Sequence, residues 1–134
     1  MASNWSRNNR TEKIVILDSS AIMMLFEFNI NLDKELKRLV GNYKIIIPKP
    51  IYNELKFLSE EGKEKKRLKA RPALDLIKNF EVVDIEGKPD DSLILLAKKY
   101  GGIIVTNDKD LRKNIKNNSL KAIYLRNKST LVLE

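Results

Sequence analysis

KIVILDSSAI, residues 13–22, is the stretch that decides how the rest of the chain is read. Four apolar side chains, Ile14 to Leu17, follow one another without alternation and stop at Asp18. A strand wet on one face alternates apolar and polar residues. A continuous Ile/Val/Leu run fits a strand covered on both faces, as in a parallel sheet between helical layers. GGIIVTNDKDL, residues 101–111, repeats the arrangement: Ile103, Ile104 and Val105 run into Thr106, Asn107, Asp108 and, one residue beyond Lys109, Asp110.

Working outward, residues 44–47 and 80–84 read as two further strands, and residues 123–125 as a weaker fifth. Helical patterns lie between them. Ser19 or Ser20 is placed to cap a helix running to Phe28. Leu32, Leu36, Leu39 and Val40 share one apolar face, with Gly41 as the stop. Pro50 suits the first turn of a helix to Leu58. Pro72 is expected to open another, with Ala73, Leu74 and Ile77 inward, and to break any continuous helix through EEGKEKKRLKAR, residues 60–71. That basic stretch then forms an arm, helical or loop. Asp90 or Asp91 begins a helix to Tyr100, and Asp108 begins the last, with Leu111 and Ile115 inward.

Strands alternating with helices predict right-handed βαβ units: an α/β fold, a Rossmann-like three-layer α/β/α sandwich around a parallel sheet of 4–5 strands. Residues 1–12 read as a loose polar tail, with Trp5 as readily exposed as in contact. Residues 13–134 read as a single domain. No apolar run approaches the ~18 residues of a membrane span, and the N-terminus lacks a secretory pattern, so the expected location is cytoplasmic, away from membranes.

A parallel sheet has all its carboxyl ends on one edge, and ligands of open α/β sheets bind beyond that edge. Asp18 and Asp108 follow strands there directly. Glu54 lies in the helix leaving the second strand, and Asp91 starts a helix whose N-terminus returns to the same rim, with Asp90 and Asp110 close by. Asp91 and Asp108 are also suited to cap their helices. Asp18 has less need of that role, given Ser19 and Ser20.

Two carboxylates ~5 Å apart repel by roughly 3 kcal/mol at an effective dielectric near 20. An acidic rim therefore calls for cations. Among the 134 residues there is neither cysteine nor histidine, which excludes thiolate nucleophiles, cysteine-bound zinc and histidine-based hydrolysis. An all-oxygen ligand set suits Mg²⁺ or Mn²⁺, as one ion or two. The net charge is +8, with local excesses at residues 56–71 and 109–128. Basic flanks of this kind attract polyanions. The expected phosphate contacts are Lys63, Lys65, Lys66, Arg67, Lys69 and Arg71 on the arm, and Lys109, Arg112, Lys113 and Lys116 on the last helix. Carboxylates, hard cations and phosphate docking together describe a metal-dependent nuclease.

VILDSSAI, the glutamate of PIYNELKFL, DDSLILLA and GGIIVTNDKDL, taken in that order, resemble the four acidic motifs of PIN-domain nucleases. The resemblance runs from about Ile14 to Leu125. It is nearest to archaeal VapC-like proteins, and PDDSLILLAKKYGGIIVTNDKDLRKNI is also similar to the PIN nuclease of the small-subunit processome. The resemblance implies an endoribonuclease dependent on Mg²⁺ or Mn²⁺, leaving 5′-phosphate and 3′-hydroxyl ends. It carries Asp18, Glu54, Asp91 and Asp108 over as the catalytic, metal-binding quartet. Asp110 becomes an accessory carboxylate, and Ser20 and Thr106 orienting hydroxyls. Asp90 competes with Asp91 for the third position, the spacing to Ile94 favouring Asp91. The implied partners are RNA, a small antitoxin protein if the chain is a toxin, and a second copy. A ribosomal RNA processing role is the other nuclease reading. The rivals are a non-catalytic RNA-binding assembly factor and a haloacid-dehalogenase-like phosphatase; the latter needs a second Asp where Ser20 stands.

Overall fold

The computed structural model describes residues 12–134, so the expected N-terminal tail lies outside the described residues except for Glu12. The elements follow in the order β1 (Lys13–Leu17), α1 (Ser19–Glu27), α2 (Leu32–Val40), β2 (Tyr43–Pro48), α3 (Lys49–Glu61), α4 (Glu64–Ile77), β3 (Glu81–Val83), α5 (Pro89–Tyr100), β4 (Ile103–Val105), α6 (Lys109–Asn117), β5 (Lys121–Asn127) and β6 (Thr130–Leu133). They build one mixed sheet in the order β3-β2-β1-β4-β5-β6, flanked by helices.

β1 to β5 pair in parallel, and the unalternating runs account for it. Ile16, Leu17, Ile46, Ile47 and Ile104 are all essentially inaccessible, so the central strands are covered on both faces. The sheet has six strands rather than the expected 4–5. The sixth is antiparallel to β5 and joins it by a turn in which Asn127 Oδ1 accepts the Ser129 N–H (3.2 Å) and Oγ–H (3.1 Å). β5 is also longer than the expected residues 123–125.

The chain builds β1 to β3 outward in one direction, then returns to add β4 on the other side of β1. With right-handed crossovers, the reversal puts the two sets of connecting helices on opposite faces. It also opens a crevice between the carboxyl ends of β1 and β4, which register as Val15↔Ile103, Ile16↔Ile104 and Leu17↔Val105.

Pro72 does not break the arm. α4 runs through it from Glu64 to Ile77 and buries Ala70, Ala73 and Ile77. Burial of that face outweighs the lost backbone bond and ring clash that penalise an internal proline. The real break is Gly62, where an added Cβ would lie 2.5 Å from the Leu58 carbonyl oxygen. Residues 60–71 thus form the tip and one leg of a helical hairpin, tied by Arg71 Nε–H donating to the Ser59 carbonyl at 3.4 Å. None of the helices among the described residues is long and apolar enough to cross a membrane.

One buried acid fastens the far edge. Glu35 accepts the Leu131 N–H (2.9 Å) and an Arg38 N–H (3.0 Å), while Arg38 donates to the Leu131 carbonyl at 2.7 Å, clamping α2 to β6. The Arg38 hydrogen bond, then the Leu131 N–H, hold the Glu35 carboxyl below its ordinary range. Its contribution is therefore complete above the unfolded carboxylate range and fades as pH falls through the lowered native value. Glu35→Ala should cost about 1–3 kcal/mol in urea unfolding at pH 7, because the Leu131 N–H is left unpaired. The gap to wild type should narrow in acid; an equal gap at pH 3 and pH 7 would contradict this.

Candidate active site

Asp18 stands where β1 ends, with 5% of its surface exposed, and its backbone N–H donates to the Val105 carbonyl at 3.1 Å. Its side chain caps α1 itself: Oδ1 accepts the Ser19 N–H at 2.7 Å. This corrects the expectation that Ser19 or Ser20 would cap. The Ser20 hydroxyl instead donates to Asp18 Oδ2 at 2.7 Å, and the Thr106 hydroxyl reaches the same oxygen at 2.7 Å from the end of β4. Thr106 is fully buried, and its oxygen also accepts the Asp108 N–H at 3.0 Å. One hydroxyl therefore locks the first acid to the backbone of the fourth motif. The Ser20 and Thr106 oxygens lie 3.3 Å apart.

Asp108 caps α6, with Oδ1 accepting the N–H groups of Asp110 (2.9 Å) and Leu111 (3.0 Å). Its Oδ2 accepts no hydrogen bond among the described residues and is left to other ligands. Asp110 supplies that backbone N–H, and its carboxylate is exposed. Glu54, on the second turn of α3, accepts a hydrogen bond from the Ser19 hydroxyl. Ser19 also lies 3.4 Å from Asp18 Oδ1.

The third motif opens a helix. α5 begins at Pro89, with Lys88 rather than Asp90 or Asp91 at the cap position. The Asp90 carboxyl is pushed up by partial burial, then by the negative fields of Asp18, Asp108, Glu54 and Asp91. Asp90 and Asp91 both lie exposed in the first turn of α5. Hydrogen bonds link Asp18 to Glu54 through the Ser19 hydroxyl and to the Asp108 backbone through the Thr106 hydroxyl. Two site residues escaped the sequence reading. Ser19 looked like a helix cap. Asn107 ties the loop after β4 to β5, its Oδ1 accepting the Leu125 N–H at 3.0 Å and its own N–H reaching Ser20 Oγ at 3.3 Å.

Among the described residues no lysine or arginine forms an ion pair with these acids. Every ion pair among the described residues lies elsewhere: Lys37–Asp33, Arg38–Glu35, Lys44–Glu81, Lys69–Glu27, Lys78–Asp75 and Arg112–Glu134. No three acidic side chains among the described residues stand close enough to grip one metal ion as placed. The donors are nonetheless all oxygen and carry uncompensated negative charge, which fits a hard divalent cation.

Of the cations expected to meet phosphate, Lys63, Lys65, Lys66, Lys109, Lys113 and Lys116 are exposed without an ion pair. Lys69 is engaged with Glu27 (3.1 Å). Arg67 is half-buried, and Arg71 is held by Ser59. The Arg112 guanidinium stacks on the Tyr124 ring, 3.7 Å from its centroid, so it serves packing first.

Comparison with known proteins agrees with this geometry. The family profile described as a PIN like domain matches residues 15–128. The chain belongs to the PIN-domain family. Among relatives of this PIN chain, Ribonuclease VapC9 of Archaeoglobus fulgidus is 31% identical over 134 residues, covering 100% of this chain and 98% of that one. Ribonuclease VapC4 of Methanocaldococcus jannaschii is 32% identical over 119 residues, covering 85% and 91%. The PIN domain endonuclease Utp24 has the same fold, with a TM-score of 0.73 and 22% identity over 90% of each chain.

Because Thr106 serves Asp18 and the Asp108 N–H through one oxygen, Thr106→Val should destabilise this PIN domain by about 1–3 kcal/mol despite its matched shape. Thr106→Ser should stay near wild type. Equal urea midpoints for the Val variant and wild type would show that the hydroxyl is dispensable.

Proposed function

We propose that the chain is a VapC-type endoribonuclease that hydrolyses RNA phosphodiesters with a divalent cation, Mg²⁺ or Mn²⁺, held by its acidic rim. The observation that carries this reading is the uncompensated charge. The chain carries a net charge of +8, yet among the described residues no lysine or arginine forms an ion pair with Asp18, Glu54, Asp90, Asp91 or Asp108. Structural acids at this proximity would ordinarily acquire cationic neighbours. The two VapC relatives, both named ribonucleases, support RNA as the substrate class. They favour the toxin-type role, with a small antitoxin protein as partner. The likeness to Utp24 is one of fold, so a processing role lacks equal support.

In this reading Asp18, Glu54 and Asp108 hold the cation together with a third-motif acid, Asp90 or Asp91. Such a cation supplies charge to ease deprotonation of water near neutral pH and to offset charge growing on the phosphate oxygens. The protein's part is orientation. Ser20 and Thr106 hold the Asp18 carboxylate in a single pose. Asp108 keeps Oδ2 available while Oδ1 caps its helix. Lys63, Lys65 and Lys66 on the α3–α4 hairpin and Lys109, Lys113 and Lys116 on α6 meet the substrate phosphates. In-line attack by water leaves a 5′-phosphate and a 3′-hydroxyl.

Asp18→Asn is the decisive variant, because Asn also caps helices well and preserves the side-chain shape. It should fold, and it should lower Mn²⁺-dependent cleavage of single-stranded RNA by about 100-fold or more. RNA binding without cleavage in the wild type would favour the non-catalytic assembly-factor reading. Undiminished cleavage by Asp18→Asn would remove the acidic rim from the mechanism.

A further inference from the structure

Three hydroxyls surround the end of β1, and they do different work. Those of Ser20 and Thr106 both go to Asp18. The Ser19 hydroxyl donates to Glu54, a residue 35 positions further along on α3, while lying 3.4 Å from Asp18 Oδ1. It is the one hydrogen bond to the Glu54 side chain among the described residues, and Ser19 itself is 7% exposed. We infer that Ser19 is a positioning residue for Glu54, holding that carboxylate beside Asp18 so that the two act as ligands of the same divalent cation. The inference rests on the cation reading above and adds a residue to it.

The physical argument turns on what Glu54 would do without the bond. Its carboxylate stands in the negative field of the rim and forms no ion pair among the described residues. A glutamate has three rotatable side-chain bonds, and repulsion favours rotamers that carry its charge outward to water. A hydrogen bond to a charged acceptor is worth more than a neutral one, and here it opposes that drift. Ser19 is suited to the task because its backbone is fixed: its N–H is held by Asp18 Oδ1 at 2.7 Å, and its position opens α1. The donor adds no charge, so it orients Glu54 without weakening the pull on a cation. Hydrogen-bond partners that orient metal ligands typically change metal affinity roughly 10–100-fold when removed.

The test compares Ser19→Ala, Ser19→Thr, Glu54→Ala and the Ser19→Ala/Glu54→Ala pair in full-length protein, with Mn²⁺ binding read by electron paramagnetic resonance. Ser19→Ala keeps the backbone N–H that Asp18 caps, and alanine suits the first turn of a helix, so the variant should fold. It should bind Mn²⁺ roughly 10–100-fold more weakly than wild type. Ser19→Thr should restore binding, and the pair should be no weaker than Glu54→Ala alone. RNA affinity measured in EDTA should not change, whereas general damage to the fold would lower it too. Wild-type Mn²⁺ affinity in Ser19→Ala, with Glu54→Ala weakened, overturns the role of Ser19 and leaves the cation reading standing. Absence of Mn²⁺ binding in the wild type overturns both.

Discussion

The Asp18 carboxylate is held entirely by neutral donors: the Ser19 N–H and the hydroxyls of Ser20 and Thr106. Neutral hydrogen bonds fix a charge in place without cancelling it. An arginine in the same position would orient Asp18 equally well and would pair off its charge. The donors come from the first turn of α1 and from the end of β4, so the bonds also join the two strands at which the sheet reverses its direction of growth. Fold and site therefore share one set of contacts. The crevice exists because β4 lies beside β1, and the acid is presented there because Thr106 ends β4.

Around that point the molecule separates its charges. The acids gather at the carboxyl ends of the strands, while lysines spread over the α3–α4 hairpin and α6. For a polyanionic substrate this arrangement is sensible only when a cation sits between rim and phosphate, since the bare rim repels the group it is meant to cleave. Under the proposed nuclease reading, basic surface would draw the substrate in and leave the rim's own charge for the ion. Glu35, the buried acid that is ion-paired among the described residues, lies on the clamp between α2 and β6 and has a structural task.

Much of this was legible in the sequence because the signals were strong and local. The buried runs of β1, β2 and β4 cannot alternate if both faces are covered, and each ends at the shared edge. Asp18, Glu54 and Asp108 followed from topology. Signals that depend on three dimensions were harder to read. Asp90 and Asp91 are one residue apart, so roughly 100° of helix rotation separates them, and sequence spacing leaves both as candidates for the third position. Pro72 carries a strong intrinsic signal, yet burial of Ala70, Ala73 and Ile77 overrides it. β6 is a four-residue edge strand whose pairing depends on the Asn127 turn, and TLVL alone carries too little pattern. Ser19 was visible as a cap candidate, but its bond to Glu54 spans two elements distant in sequence.

If neutral donors hold an uncompensated rim, the folded protein is strained by a repulsion that a divalent cation relieves. The direct measurement is the unfolding temperature as MnCl₂ is added, with KCl as an ionic-strength control. Tm should rise, and keep rising with the logarithm of Mn²⁺ concentration once the site begins to fill, as ligand binding to the native state requires, and KCl should not reproduce the rise. A Tm that responds to Mn²⁺ no more than to KCl at the same ionic strength would contradict it.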